Sequence, residues 1–294
     1  MDKQIELFRS EKKKSEYLKI YDLALSQLTT PFTSKYIGTS YGNTHVIRCG
    51  LENSPKLLML HSMGFTSIAW HKNLEGLSKQ FDIYCIDLIG EPNRTESNRI
   101  KITLTDYLQW LVEVLDALNL KKTNLVGWSY GGFLVTTFAM NFPNRIERVV
   151  TMSPAGTISP LTTSFYIKLL PALFSGKDKK INKFLKWISG KDNNNYPNPA
   201  FLLFTEGMKN FKGWARGTKI IVYSDDDFMK LKVPYLLLIG DKDPIYKKEI
   251  HNQLIDKFNN ISPNIKANII GGTHGFPMQE SEVVNKKIIS FLTN

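Results

Sequence analysis

The sequence predicts an α/β fold: a mostly parallel central sheet flanked by helices, with a helical segment inserted between two core strands. Three observations predict it. From residue 56 onward, short and nearly continuous apolar runs alternate with amphipathic stretches. Parallel strands buried on both faces, joined by crossover helices, leave that pattern. Helix signals fill the gaps: Thr103-Leu-Thr-Asp106 is a capping box, and Leu104, Leu108, Leu111, Leu115 and Leu118 follow as one apolar stripe. Residues 155–230 then break the rhythm with amphipathic pieces and no buried strand.

In chain order, residues 15–28 place Leu18, Tyr21, Leu25 and Leu28 at helical spacing, which predicts an N-terminal amphipathic helix. A hairpin follows, with strands near 35–40 and 44–49 around Tyr41, Gly42 and Asn43. The buried strands are read at 57–60, 81–87, 123–128, 146–152, 234–240 and 265–270, with the clearest helix at 103–119. Inside the insertion, helical pieces lie near 160–174, 181–189 and 200–211, separated by Gly- and Asn-rich linkers such as that at 191–199. The insertion closes at Ser224-Asp-Asp-Asp227. A triple Asp invites a metal, but Ser224 with Asp227 three residues on reads better as a helix capping box. The chain therefore divides into a core, 1–154 with 231–294, and a helical cap, 155–230.

Composition narrows the function classes. Of 294 residues, 42% are hydrophobic and 22% charged, which suits a folded, cored protein and argues against disorder. Two cysteines cannot staple a chain this long; Cys85 reads as a core residue and Cys49 as a strand-end residue, both reduced. The net charge of +11 raises the question of nucleic acid, yet the basic residues are scattered and only seven are Arg. The cluster Lys177, Lys179, Lys180, Lys183 and Lys186 reads as a solvated face. No signal peptide is evident, because Asp2, Glu6 and Glu11 interrupt Lys3, Arg9, Lys12, Lys13 and Lys14 and no apolar stretch follows. Residues 123–144 carry no charge over a length that could span a bilayer, but Asn124, Ser129, Asn141, Pro143, Asn144 and three clustered glycines break them into two elements. The expectation is a cytoplasmic protein with no membrane span and no nucleic-acid partner.

The sharpest chemical feature is Gly127-Trp128-Ser129-Tyr130-Gly131-Gly132, between the strand at 123–128 and an apolar helix. A strand-to-helix turn of this kind exposes a serine hydroxyl, glycines on either side leave room for it, and the helix aims its N-terminal N–H groups at the reacting centre. A serine is a weak nucleophile and needs a general base. Of the five histidines, His274 lies in the glycine-rich loop directly after the last strand and is the choice. His251, on a predicted helix, reads as a surface residue; His45 and His71 belong to other elements. The base needs a carboxylate to orient it. Residues Asp241 and Asp243 follow the strand at 234–240; Asp243 is favoured, with Asp241 as the fallback. Asp87 reads as structural.

The resulting order, Ser129, Asp243, His274, is that of the α/β-hydrolases. The sequence resembles serine hydrolases of the α/β-hydrolase superfamily, and among them bacterial carboxylesterases, over nearly its whole length: the hairpin Y-G-N-T-H-V-I, the segment L-H-S-M-G, the turn D-L-I-G-E, the elbow, the cap and the acid and base loops. The resemblance implies an oxyanion hole from the backbone N–H groups of Met63 and Tyr130, with His61 shaping the loop and Ser62 standing where such enzymes usually have glycine. It implies an acyl-enzyme on Ser129, because relatives that are dehalogenases or epoxide hydrolases carry aspartate there. The expected activity is hydrolysis of small to medium carboxylic esters, with no metal and no organic cofactor. Alternatives of the same fold are a lactonase, a C–C bond hydrolase, an aminopeptidase or a slow-turnover receptor. The cap residues Phe165, Tyr166, Leu169, Leu170, Phe174, Phe184, Trp187, Phe201 and Phe204 read mostly as core, with a minority lining an acyl pocket. Trp128 reads as packing.

Overall fold

A computed structural model describes residues 6–191, 198–212 and 218–294. The Asn-rich linker expected at 191–199 lies mostly outside the described residues. Nine strands form one sheet: β1 Phe32–Thr39, β2 Gly42–Gly50, β3 Lys56–Leu60, β4 Asp82–Ile86, β5 Glu96–Ser97, β6 Thr123–Trp128, β7 Ile146–Met152, β8 Tyr235–Gly240 and β9 Ile265–Ile270. Their order is β1-β2-β4-β3-β6-β7-β8-β9, with β5 beside β2. The β1–β2 hairpin and the β2–β4 pair are antiparallel, and every pairing from β4 through β9 is parallel. Helices are α1 Glu11–Ser26, α2 His71–Leu77, α3 Leu104–Ala117, α4 Tyr130–Asn141, α5 Thr163–Ser175, α6 Asp178–Ser189, α7 Pro199–Asn210, α8 Asp225–Met229, α9 His251–Ile261, α10 Phe276–Gln279 and α11 Ser281–Thr293. Helices α5 to α8 lie between β7 and β8, where the sequence broke its alternation.

The apolar runs became the central strands for a simple reason. Every residue of β4, β6 and β8 is buried, whereas β1 at one edge buries only Ile37 and β9 at the other exposes part of its length. A strand covered on both faces is apolar along most of its length. The uncharged stretch 123–144 folds as β6, one turn residue and α4 (with its last three residues beyond), and no helix among the described residues is long and apolar enough to cross a membrane. The two-residue strand β5 is too short to leave any periodicity. Both expected capping boxes form, Thr103 with Asp106 and Ser224 with Asp227. Helix α1 starts earlier than its apolar stripe because the Ser10 hydroxyl accepts the Lys13 N–H at 3.2 Å.

The N-terminal segment ties the inserted helices to the core. The Arg9 N–H donates to the Asn210 carbonyl at 2.8 Å, Phe8 bridges to Phe211, and the Tyr17 hydroxyl donates to the Pro92 carbonyl at 2.5 Å. Behind β4, Asp87 is a buried hub: it accepts from the Tyr21 hydroxyl at 2.9 Å and the Ser67 N–H at 2.8 Å, and lies 2.9 Å from His45 Nδ1. Burial alone would raise its pKa, but the bond to His45 and these donors hold it at about 2. Cys49 and Cys85 are buried and unbridged, and burial pushes the Cys49 thiol up to about 12. One expectation fails: His251 is buried at the start of α9, its Nδ1 3.2 Å from the Asp241 carbonyl, because α9 packs that end against the acid loop.

Candidate active site

Ser129 sits at the junction of β6 and α4 with φ 53° and ψ −111°. A non-glycine residue there stores about 1–3 kcal/mol of strain, so its surroundings must over-determine it. They do: its N–H donates to the Met152 carbonyl at 2.8 Å, and its carbonyl accepts from Phe133 and Ala155, both at 2.9 Å. The flanking glycines are required by close approach. A Cβ on Gly127 would stand 2.4 Å from the Gly131 carbonyl oxygen, and one on Gly131 would stand 2.3 Å from that of Leu60. Tyr130 opens α4, so its N–H is one of the first-turn donors that no helical carbonyl can reach.

His274, in the loop after β9, places Nδ1 2.8 Å from Asp243 Oδ2, with both side chains buried. An imidazole nitrogen facing a carboxylate is the donor, which leaves Nε2 with its lone pair. The other Asp243 oxygen accepts the Ile245 N–H at 3.0 Å, so the carboxylate cannot swing away. Asp241 does different work: its carboxylate accepts the Gly272 N–H at 2.6 Å and shapes the loop that carries the histidine. The His274 backbone is also fixed. Its carbonyl accepts from Trp128 Nε1 at 3.0 Å and its N–H donates to the Ile188 carbonyl of α6 at 3.1 Å. Trp128 thus packs, as expected, and also positions His274; an indole next to the serine in sequence gave no sign of that second part.

The loop after β3 carries His61, Ser62, Met63 and Gly64. His61 Nε2 accepts the Leu88 N–H at 3.0 Å, so Nδ1 bears the proton and donates to the Ser62 carbonyl at 2.8 Å. Burial lowers its pKa, and with both nitrogens engaged it is a neutral scaffold. The left-handed residue of this loop is Gly64, φ 76°, and Ser62 is not among the side-chain-bearing residues at positive φ, so a serine fits there. The next two N–H groups are committed: Gly64 donates to Glu91 Oε2 at 2.8 Å and Phe65 to the Ser62 carbonyl at 3.0 Å. Glu91 was not singled out in the sequence. Its signal is a second acid, after Asp87, in the short turn D-L-I-G-E that follows β4. Burial pushes its carboxyl up to about 7, against the pull of the Gly64 N–H.

Ser62, Met63, Ser129, Tyr130 and His274 line one cavity of about 310 Å³. Its inner walls are Phe65 and Trp128, whose ring centres lie 4.8 Å apart, and Phe165, Leu169, Phe184 and Phe204 close it from the inserted helices. Of the nine cap residues expected mostly in the core, three are not: Tyr166, Leu170 and Phe174 are exposed, on the side of α5 away from the cavity floor or at its rim. Hydrophobicity alone does not say which side of a helix is covered.

Known proteins share this architecture. Residues 55–197 match the model of the alpha/beta hydrolase fold family. An uncharacterized carboxylesterase, nap, of Bacillus subtilis is 31% identical, over 94% of this chain and 91% of its own length. Carboxylesterase YbfK of the same organism is 28% identical over 94% and 93%. Among solved structures, carboxylesterase CesB (YbfK) of B. subtilis superposes with a TM-score of 0.86 at 26% identity, covering 96% of this chain and 98% of that one. The naproxen esterase of B. subtilis gives 0.83 at 27% identity, covering 96% and 99%.

Proposed function

The chain belongs to the α/β-hydrolase family and is a carboxylic ester hydrolase, and on that premise we propose that Ser129 is its nucleophile, His274 its general base and Asp243 the acid that orients the base. The observation that carries the reading is the meeting, at one apolar cavity, of a strained serine turn with a histidine whose Nδ1 lies 2.8 Å from a buried carboxylate.

Chemistry follows from that arrangement. Ser129 Oγ attacks the ester carbonyl while His274 Nε2 takes its proton. The negative oxygen of the tetrahedral intermediate is held by the N–H groups of Met63 and Tyr130. As the C–O bond to the alcohol breaks, the proton on Nε2 passes to the leaving oxygen and an acyl-enzyme remains. Water, deprotonated by the same nitrogen, attacks that ester, and the acid departs as Ser129 regains its proton. Asp243 holds the imidazole by its Nδ1–H and stabilises the imidazolium that forms.

Residues 155–230 act in this reading as a cap that roofs the site. A cavity of about 310 Å³ is at the small end for ligand sites, which run from about 300 to 1,000 Å³, and suits esters of small to medium acyl or alcohol groups. One relative is called a naproxen esterase, and the aromatic walls here suit an aromatic acid as well. The enzyme works in the cytoplasm on small-molecule esters, with no metal, organic cofactor or nucleic acid. The test is hydrolysis of p-nitrophenyl esters from acetate to octanoate by the wild type and Ser129→Ala. Turnover that falls at least ~10³-fold in the variant supports the reading; turnover that persists removes Ser129 from its role.

A further inference from the structure

Helix α5 is apolar nearly all round, with Lys168 its one charged residue. A helix of that kind belongs in a core or in contact with lipid. Its inner face is accounted for: Leu169 and Ala172 are buried, and Phe165 and Leu169 line the cavity. Its outer face is not. Ile167, Leu170 and Phe174 are 65%, 47% and 70% exposed, and at about 100° per residue they fall within a ~60° arc opposite Ala172 and Leu169. They are three large apolar side chains facing water with nothing over them among the described residues.

The chemistry of the border says what covers them. Residues 155–191 hold seven Lys and one acid, Asp178. Lys177, Lys179, Lys180, Lys183 and Lys186 are all exposed, and Lys179, Lys183 and Lys186 share the outer face of α6, which packs beside α5. Asp178 faces Lys209 at 3.1 Å, so it does not neutralise them. A second copy of this chain would bring two strongly basic caps together, which opposes self-association on this face. An apolar stripe of Ile, Leu and Phe flanked by lysines is the composition of a surface that rests on an anionic membrane, apolar side chains below the headgroups and ammonium groups among them.

We propose that the outer face of α5 with the lysines of α6 is a docking surface for an anionic lipid bilayer. Tyr166 is half exposed and also lines the cavity, so docking brings the mouth of the ester site against the lipid. The contact is interfacial, without a spanning segment, and it does not depend on which residues perform the hydrolysis.

Vesicle co-flotation tests it. Wild-type protein is mixed with pure phosphatidylcholine vesicles or with vesicles of about 30% phosphatidylglycerol, at low salt and at high salt. The expected result is binding to the anionic vesicles at least ~10-fold stronger than to the neutral ones, weakened by salt. At about five-fold per lysine, Lys179→Gln/Lys183→Gln/Lys186→Gln should weaken it roughly 100-fold. Ile167→Ser/Leu170→Ser/Phe174→Ser should also lose binding while still hydrolysing a water-soluble p-nitrophenyl ester, which shows that it has folded. Absence of wild-type binding to the anionic vesicles overturns the proposal, as does binding that either triple variant retains in full. Concentration-dependent self-association in solution, abolished by the serine variant, also overturns it, since a second copy is then the occupant.

Discussion

Replacing Glu91 by Gln should change how stability depends on pH, and by a calculable amount. Glu91 is buried beside the loop after β3 with the Gly64 N–H as its hydrogen-bond donor, and burial raises its carboxyl from the ordinary 4.5 to about 7. Below 4.5 both the folded and the unfolded chain carry the proton. As pH rises, the unfolded chain loses it first, so the folded state is progressively disfavoured until the native carboxyl ionises near 7. At 1.36 kcal/mol per pKa unit, the stabilisation lost across that window is about 3 kcal/mol. Glutamine copies the shape of the protonated acid, offers an oxygen to Gly64 and does not titrate. Urea unfolding of both proteins from pH 4.5 to 8 isolates the effect, because every other group cancels in the difference. The wild type should lose about 3 kcal/mol relative to Glu91→Gln across the range, mostly between pH 5 and 7. A difference that stays flat, or that grows in favour of the wild type as pH rises, would refute the account of this carboxyl.

Two further outcomes follow from the site. Asp243→Asn presents an amide to His274 Nδ1, favours the wrong tautomer and should lower kcat by about 10³–10⁴-fold, whereas Asp241→Asn, which only weakens the bond to Gly272, should cost less than about 10-fold; ester kinetics on the two variants decide. Trp128→Phe keeps the ring packing but removes the N–H that holds the His274 carbonyl at 3.0 Å. With a hydrogen bond of about 1 kcal/mol lost, kcat should fall by roughly five-fold with little change in KM.

How much was legible in the sequence differs by element. The strands at 57–60, 123–128 and 146–152 were readable almost to the residue because most of their positions are buried and carry apolar side chains, and the candidates Ser129 and His274 were readable because tight turns demand glycines. The two candidate acids were legible only as a pair. Asp241 and Asp243 stand on one short loop, and their separate hydrogen bonds, to Gly272 and to His274, depend on where β8 and β9 end relative to each other. Glu91 and His251 escaped for a related reason. A polar residue gives no sign in sequence that a distant loop will bury it. Leu170 and Phe174 escaped in the opposite sense, since an apolar residue carries no mark of being left uncovered.

The central claim, an acyl-enzyme on Ser129, is met most directly by intact-protein mass spectrometry after exposure to a fluorophosphonate, followed by peptide mapping. The account predicts a single adduct on Ser129, loss of ester hydrolysis in step with labelling, and no adduct on Ser129→Ala. A hydrolytically active enzyme that takes no label, or takes it on another residue, would contradict it.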